Sequence, residues 1–299
     1  MIIVTKCPLR ISLAGGSTDL QGYLDRYGVG EVISFTPDLF TYIILKKSSS
    51  RYYKVVYSKV ENVLKAKEIQ NDIAREVLTY FNMPPVEIVF TADIPSTGSG
   101  LASSSSYLIA LIKACLEFLG KEMNREEIGS LAIRLEREFN PLTGYQDIYG
   151  CLFPGFKKIS FIPTGLSSIV QIPSDFFNYY NFNLVPVGGT RNSTSILSTI
   201  DFDEVHKITP LTDLMVDALA KEDYSRVCYL IQSVWEVKKT TSSNIMSKEI
   251  KELEAIINKS QSVTACRLIG AGNGGYLLIV SEKNYILPLI NLKINLYDE

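Results

Sequence analysis

The 299 residues predict a protein of mixed helices and strands, long enough for two domains with a sizeable core. Two patterns carry that expectation. Short β-rich runs recur along the chain and are interleaved with segments of helical spacing. One stretch joins the two types directly: residues 86–91 alternate with β-branched side chains, residues 94–106 are a Gly/Ser loop, and residues 107–119 are almost continuously apolar and close at Gly120 like a helix. Lys113 and Glu117 interrupt that apolar run, so no stretch is long enough to cross a bilayer.

Composition narrows the function classes. Thirty basic against 32 acidic residues give a net charge of −2, which implies no general attraction to nucleic acid or an acidic membrane. The tyrosines are frequent but not interleaved with basic runs, so stacking on nucleic acid has no support. Cys7, Cys115, Cys151, Cys228 and Cys266 form no C-x-x-C pair, which suggests reduced thiols in a cytoplasmic protein. Residues 1–8 lack a basic start and read as a first strand rather than a signal peptide. No Cys/His cluster has zinc spacing, and neither a G-K-[ST] phosphate loop nor a G-x-S-x-G elbow is present. The single histidine, His206, falls on an expected surface helix, which argues against Ser-His-Asp or Cys-His catalysis.

The chain opens with residues 6–20, a strand running into a Gly-Gly-Ser-Thr-Asp turn. Residues 31–47 are extended around Pro37 and Asp38, residues 52–57 form another strand, and residues 62–81 have helical spacing ended by Pro84 and Pro85. The loop at 94–106 is a ready anion site. A helix start leaves backbone N–H groups unpaired, glycines allow close approach, and serine hydroxyls add donors or a metal ligand. A turn that merely caps the helix is the plain alternative.

Asn124 with Glu127 has the capping-box arrangement, and the helix that follows places Ile128, Leu131, Ala132, Leu135 and Phe139 on one stripe. Glu136 and Glu138 flank that stripe, and periodicity does not choose between them. Residues 141–150 read as a loop between flanking glycines, with Asp147 in it, and residues 151–162 as a hairpin. Pro, Ser and Asn accumulate over 155–180, where a domain change is expected. Residues 182–187 read as a strand leading to the polar turn 188–195, residues 203–239 as two helices, and residues 248–257 as another. Gly270, Gly272 and Gly275 satisfy a literal G-x-G-x-x-G. The loop opens into a β-like run with too little chain left for a βαβ unit, so a dinucleotide reading fails.

Three of these stretches, in order, resemble the motifs of the GHMP small-molecule kinases. Residues 95–105 resemble the second motif, P-x-x-x-G-L-G-S-S-A/S, with Ala102 where the family has glycine. Residues 8–19 resemble the first, and Pro8-Leu9-Arg10-Ile11-Ser12 is closer to the heptose phosphate kinase branch than to galactokinase. Residues 270–275 resemble the third, with Asn273 replacing a glycine, and residues 144–150 resemble the separate G-x-Q-D-x-Y/F-G stretch of heptose phosphate and mevalonate-type kinases.

The resemblance implies an α+β, two-domain GHMP kinase fold, divided here into an N-terminal α/β domain over 1–165 and a C-terminal ferredoxin-like domain over 166–299. It implies ATP bound by Gly98, Ser99, Gly100, Leu101, Ala102, Ser103, Ser104 and Ser105. It implies magnesium on Ser104 and Glu136, Asp147 as the base and Arg10 as the cation stabilising the transferred phosphoryl group. Arg10, Gly16, Ser17, Thr18, Asp19, Gly144, Tyr145, Gln146, Asp147, Gly272 and Asn273 are the acceptor-binding residues it implies. The acceptor it implies is D-glycero-D-manno-heptose 7-phosphate at its anomeric hydroxyl, with fucose, galactose or a mevalonate-like alcohol as alternatives. Such a substrate needs cations for its existing phosphate, and Arg191, Lys238 and Lys239 are available, although solvated surface charge is the favoured reading of each. A sugar or nucleotide sensor without turnover is the competing class.

Overall fold

The computed structural model describes residues 1–95, 98–173, 175–188 and 196–298. Three sheets organise them. The first has the order β1 (Ile2–Pro8), β4 (Phe40–Lys47), β7 (Val86–Ala92), β5 (Tyr53–Val56) and β6 (Val60–Val63). The second runs β2 (Ile11–Ala14), β3 (Gly30–Phe35), β8 (Phe156–Ile162) and β9 (Gly165–Gln171). The third runs β11 (Val263–Leu268), β12 (Gly275–Glu282), β10 (Tyr180–Gly188) and β13 (Leu292–Ile294).

Helix α3 (Ser103–Leu119) packs on β1 and β4 and is the spine of the first core. Its residues Leu108 to Ile112 are fully buried, as an all-round apolar helix must be. Thr5 donates its hydroxyl to the Ala110 carbonyl at 2.7 Å, locking strand to helix. Beside α3 lie α2 (Asp72–Tyr80), α4 (Arg125–Phe139) and the short α5 (Gln146–Leu152).

A second core crosses the chain. Leu9, Ile11, Leu13, Phe35 and Phe156 pack with Phe176, Phe182, Leu184, Val227 and Ile231. The later residues come from α6 (Phe176–Tyr179), β10 and α9 (Tyr224–Thr240), the last of which packs on α8 (Thr209–Ala220) and β11. The division expected at 165/166 falls at the first residue of β9. The α+β architecture read from the motifs is the one observed. No helix among the described residues is long and apolar enough to cross a membrane.

Several boundaries differ from the sequence reading. Residues 62–81 are not one helix: β6 and a 3-10 turn (Ala66–Glu68) precede α2, which starts where Asn71 accepts a hydrogen bond from the Ala74 amide at 2.9 Å. The Glu61 carboxylate accepts from the Gln70 and Asn71 amides and holds that turn in place. The segment 141–150 is only partly loop, because α5 begins at Gln146 and carries Asp147 in its first turn. The hairpin lies at β8–β9 rather than within 151–162. Residues 203–239 hold three helices, since α7 (Phe202–His206) precedes α8 and Asp223 caps α9 by accepting from the Arg226 amide at 3.0 Å. Of the polar turn at 188–195, Gly188 ends β10 and residues 189–195, Arg191 included, lie outside the described residues.

Candidate active site

The motif stretches converge on one cavity of about 220 Å³. Gly98, Ser99, Gly100, Ala102, Ser103 and Ser104 form one wall. Arg10, Gly16, Ser17 and Asp19 form another, with Gly144, Gln146 and Asp147 between, and Gly270 and Ala271 close the remaining side.

The loop at 98–104 is built on three residues of positive φ, Gly98 at 68°, Gly100 at 81° and Ala102 at φ 62°, ψ 35°. The family glycine replaced by Ala102 is thus a position whose backbone favours glycine, and alanine adopts the same conformation at a steric cost. The hydroxyls of Ser99 and Ser103 lie 2.8 Å apart, and Ser99 accepts from the Leu101 amide at 3.2 Å, which fixes the turn into α3. The third motif packs onto this loop. A Cβ on Gly275 would lie 2.5 Å from the Ser99 carbonyl oxygen, so the two loops meet backbone to backbone.

Arg10 ties the first motif to the second and to the stretch at 144–150. Its amide donates to the Leu101 carbonyl at 3.1 Å and its Nη1 to the Gly100 carbonyl at 2.7 Å. Its Nε and Nη2 both donate to one oxygen of Asp147, at 3.0 and 2.6 Å. Burial acts to lower the guanidinium pKa, but the adjacent Asp147 carboxylate outweighs it and the net direction is up. Arg10 is almost wholly buried, whereas a third of the Asp147 side chain remains open.

Asp19 is clamped by Gln146, whose amide and side-chain Nε2 donate to its two oxygens at 2.9 and 2.8 Å. Burial nevertheless pushes its carboxyl up to about 6. A Cβ on Gly144 would lie 2.0 Å from Asp19 Oδ2, which explains a glycine at that position.

Glu136 points into the cavity from α4 and is buried, while Glu138 is exposed, so the structure resolves the ambiguity of that stripe. Burial, reinforced by the Asp147 charge, pushes Glu136 up to about 8. It accepts from the Ser105 hydroxyl at 2.9 and 3.1 Å and from the Thr143 hydroxyl. Ser104 lines the same cavity and is exposed.

Other expected residues stand back from the cavity. Thr18 donates to the Gly15 carbonyl at 2.7 Å and accepts from the Glu31 amide, so it builds the turn. Leu101 is fully buried, and its carbonyl accepts from Arg10. Tyr145 does not line the site. Its ring stacks on Phe161, 5.8 Å between centroids, with the Arg137 guanidinium 4.8 Å from its centroid, in a separate cavity on the far side of α4. Gly272 packs against Ile245, and the Asn273 amide donates to the Ile245 carbonyl at 2.9 Å, so both shape the loop behind the wall. Asn273 takes φ 54°, which asparagine tolerates well.

The cavity also contains Lys238, one of the cations the sequence offered for the acceptor's phosphate, and Ser12, Asn140, Thr143, Leu197 and Arg267, none of them assigned to it from sequence. Lys238 donates its amine to the Gly270 carbonyl, whereas Lys239 pairs with Glu236 and Glu254 away from the site. Arg267 and Asn140 flank recognised motifs, and that adjacency is the only signal the sequence offers for them.

Residues 63–155 match the model of the GHMP kinases N terminal domain. A D-glycero-alpha-D-manno-heptose 7-phosphate kinase of Campylobacter jejuni is 26% identical over an alignment covering 92% of this chain and 88% of the relative. A crystal structure of a D-glycero-D-manno-heptose 1-phosphate kinase from Bacteriodes thetaiotaomicron superposes with a TM-score of 0.73 at 20% identity, covering 99% of this chain and 97% of that one. A Lactococcus lactis galactokinase complexed with galactose gives 0.76 at 15% identity, covering 99% and 93%. The chain therefore carries a GHMP kinase N-terminal domain and has the GHMP kinase fold along its length. The resemblance read from its motifs is borne out.

Proposed function

We propose that this protein is an ATP-dependent sugar kinase that transfers the γ-phosphoryl group to a hydroxyl of a sugar or sugar phosphate. D-glycero-D-manno-heptose 7-phosphate at its anomeric hydroxyl is the acceptor we favour. The observation that carries the reading is the Arg10–Asp147 pair, held by two hydrogen bonds at the meeting point of the three motifs. The relative from Campylobacter jejuni, named for a heptose phosphate, supports the acceptor class. The two-domain division at 165/166 and a cytoplasmic setting belong to the same reading.

Phosphoryl transfer needs positioning and charge stabilisation more than covalent chemistry. The unpaired amides at the start of α3 and the loop 98–104 would hold the nucleotide phosphates. Asp147, open to the cavity, would accept the proton of the acceptor hydroxyl. Arg10, paired with Asp147, places positive charge where the transferring group would pass. Asp19, fixed by Gln146, would bind acceptor hydroxyls.

The donor set fits magnesium. Ser104 and Glu136 both face the cavity, and Glu136 is a buried carboxylate whose charged form is disfavoured until a cation arrives. No group of three or more His, Cys, Asp or Glu side chains suited to a metal occurs among the described residues. One hydroxyl and one carboxylate match an ion that takes its other ligands from phosphates and water. Magnesium bound there would neutralise charge on the phosphates.

The test is ADP release from MgATP against heptose 7-phosphate, mannose, fucose, galactose and mevalonate. Turnover strongest on heptose 7-phosphate is the expected result. Turnover on mevalonate alone, or on none while nucleotide still binds, would overturn the sugar kinase reading. The second outcome would favour a sensor.

A further inference from the structure

Arg267 stands at the end of β11, 1% exposed, with its side chain on the cavity wall. Its Nη1 donates to the carbonyl of Leu13 in β2, and its Nε is buried without a hydrogen-bond partner. Arg10 is likewise buried on that wall, but Asp147 compensates it. Arg267 has no such compensation: the neighbouring charge that bears on it most is Arg10, another cation. Burial and that repulsion together push its guanidinium down to about 9, so it remains charged at neutral pH. A buried cation of this kind, facing a cavity and next to a like charge, is costly unless a ligand brings an anion.

The fork of a guanidinium matches the oxygens of a phosphate. Its place in the fold says which phosphate. The nucleotide phosphates have their own cradle in the loop 98–104 and the start of α3. Arg267 instead reaches β2 at Leu13, just before the turn that carries Gly16, Ser17 and Asp19 on the acceptor side. Lys239 is engaged with glutamates outside the cavity, which removes it as the cation for this task.

Resting on the kinase reading, we infer that Arg267 binds the phosphate group that the acceptor already carries, and so selects a phosphorylated sugar over a neutral one. The ligand chemistry is a phosphate dianion on the acceptor side of the cavity, which free inorganic phosphate can also supply.

Inorganic phosphate is therefore the probe, titrated calorimetrically into the full chain with and without the nucleotide site filled by a non-hydrolysable magnesium–ATP analogue. The inference expects phosphate to bind in both cases, with at least tenfold weaker binding in Arg267→Met and a smaller loss in Arg267→Lys, which keeps the charge but not the fork. Thermal unfolding checks that each variant is folded, and if Arg267→Met is not, the Arg267→Lys loss decides. Phosphate binding abolished by the analogue would assign the site to the transferring phosphate and overturn the inference. Binding unchanged in the folded variants would also overturn it. Failure of the nucleotide analogue to bind, with phosphate still bound through Arg267, would sink the kinase reading and leave the anion site standing.

In turnover, Arg267→Lys should raise KM for a sugar phosphate while leaving KM for ATP unchanged. It should leave KM for the unphosphorylated sugar unchanged as well. A fall in kcat equal for both acceptors would count against the inference.

Discussion

At the residue scale, the site runs on carboxylates placed in unequal environments. Glu136 is pushed up to about 8 by burial while its unfolded value is near 4.5. The folded state therefore holds a proton that the unfolded chain has released between those two pH values. Stability accordingly falls as pH rises from about 4.5 to about 8 and is level beyond. Glu136→Gln removes that penalty, and without metal its Tm should exceed the parent's by roughly 7 °C at pH 8 and match it near pH 4.5. Equal differences at both pH values would contradict the assignment. Magnesium competes with the same proton, so metal affinity in the parent should climb with pH up to about 8 and be flat in the variant. Ala102 offers a separate test, because its φ of 62° is one that glycine adopts without strain. Ala102→Gly should stabilise the chain by about 0.5–1 kcal/mol in urea titration once the entropy of glycine is set against the relief.

At the scale of elements, glycines act through close approach as often as through turns. A side chain on Gly144 would strike Asp19, so Gly144→Ala should dislodge the Gln146 clamp. Acceptor KM should rise by about tenfold or more with nucleotide affinity unchanged, a split that steady-state kinetics resolves. The same point explains what the sequence misled about. Gly150 looks like the end of a loop, yet it lies within α5, where a Cβ would come 3.1 Å from the Arg10 side chain, which favours glycine. The capping box at Asn124 and Glu127 was legible because both partners are local. The start of α2 was not, because Glu61 fixes the preceding turn from a neighbouring strand. Tyr145 stands apart from its motif neighbours, because Gly144 and Gln146 face the cavity while its ring is drawn off to Phe161.

At the scale of the molecule, the site is assembled from stretches more than 250 residues apart, Arg10 near the start and Gly270 near the end. Motif order made that convergence legible. The residues between motifs that complete the wall, such as Arg267, needed the sheet order and the register of β11 on β12 to be placed. The core uniting β2, β3 and β8 with β10 and α9 holds these walls in a fixed relation. We propose that this convergence performs phosphoryl transfer with Asp147 as the base. The most direct measurement is ADP release by Asp147→Asn beside the parent, with MgATP affinity measured on the same samples. The account predicts a fall in kcat of at least about a hundredfold with nucleotide affinity within about threefold of the parent. Retention of most of the parent's kcat would contradict it.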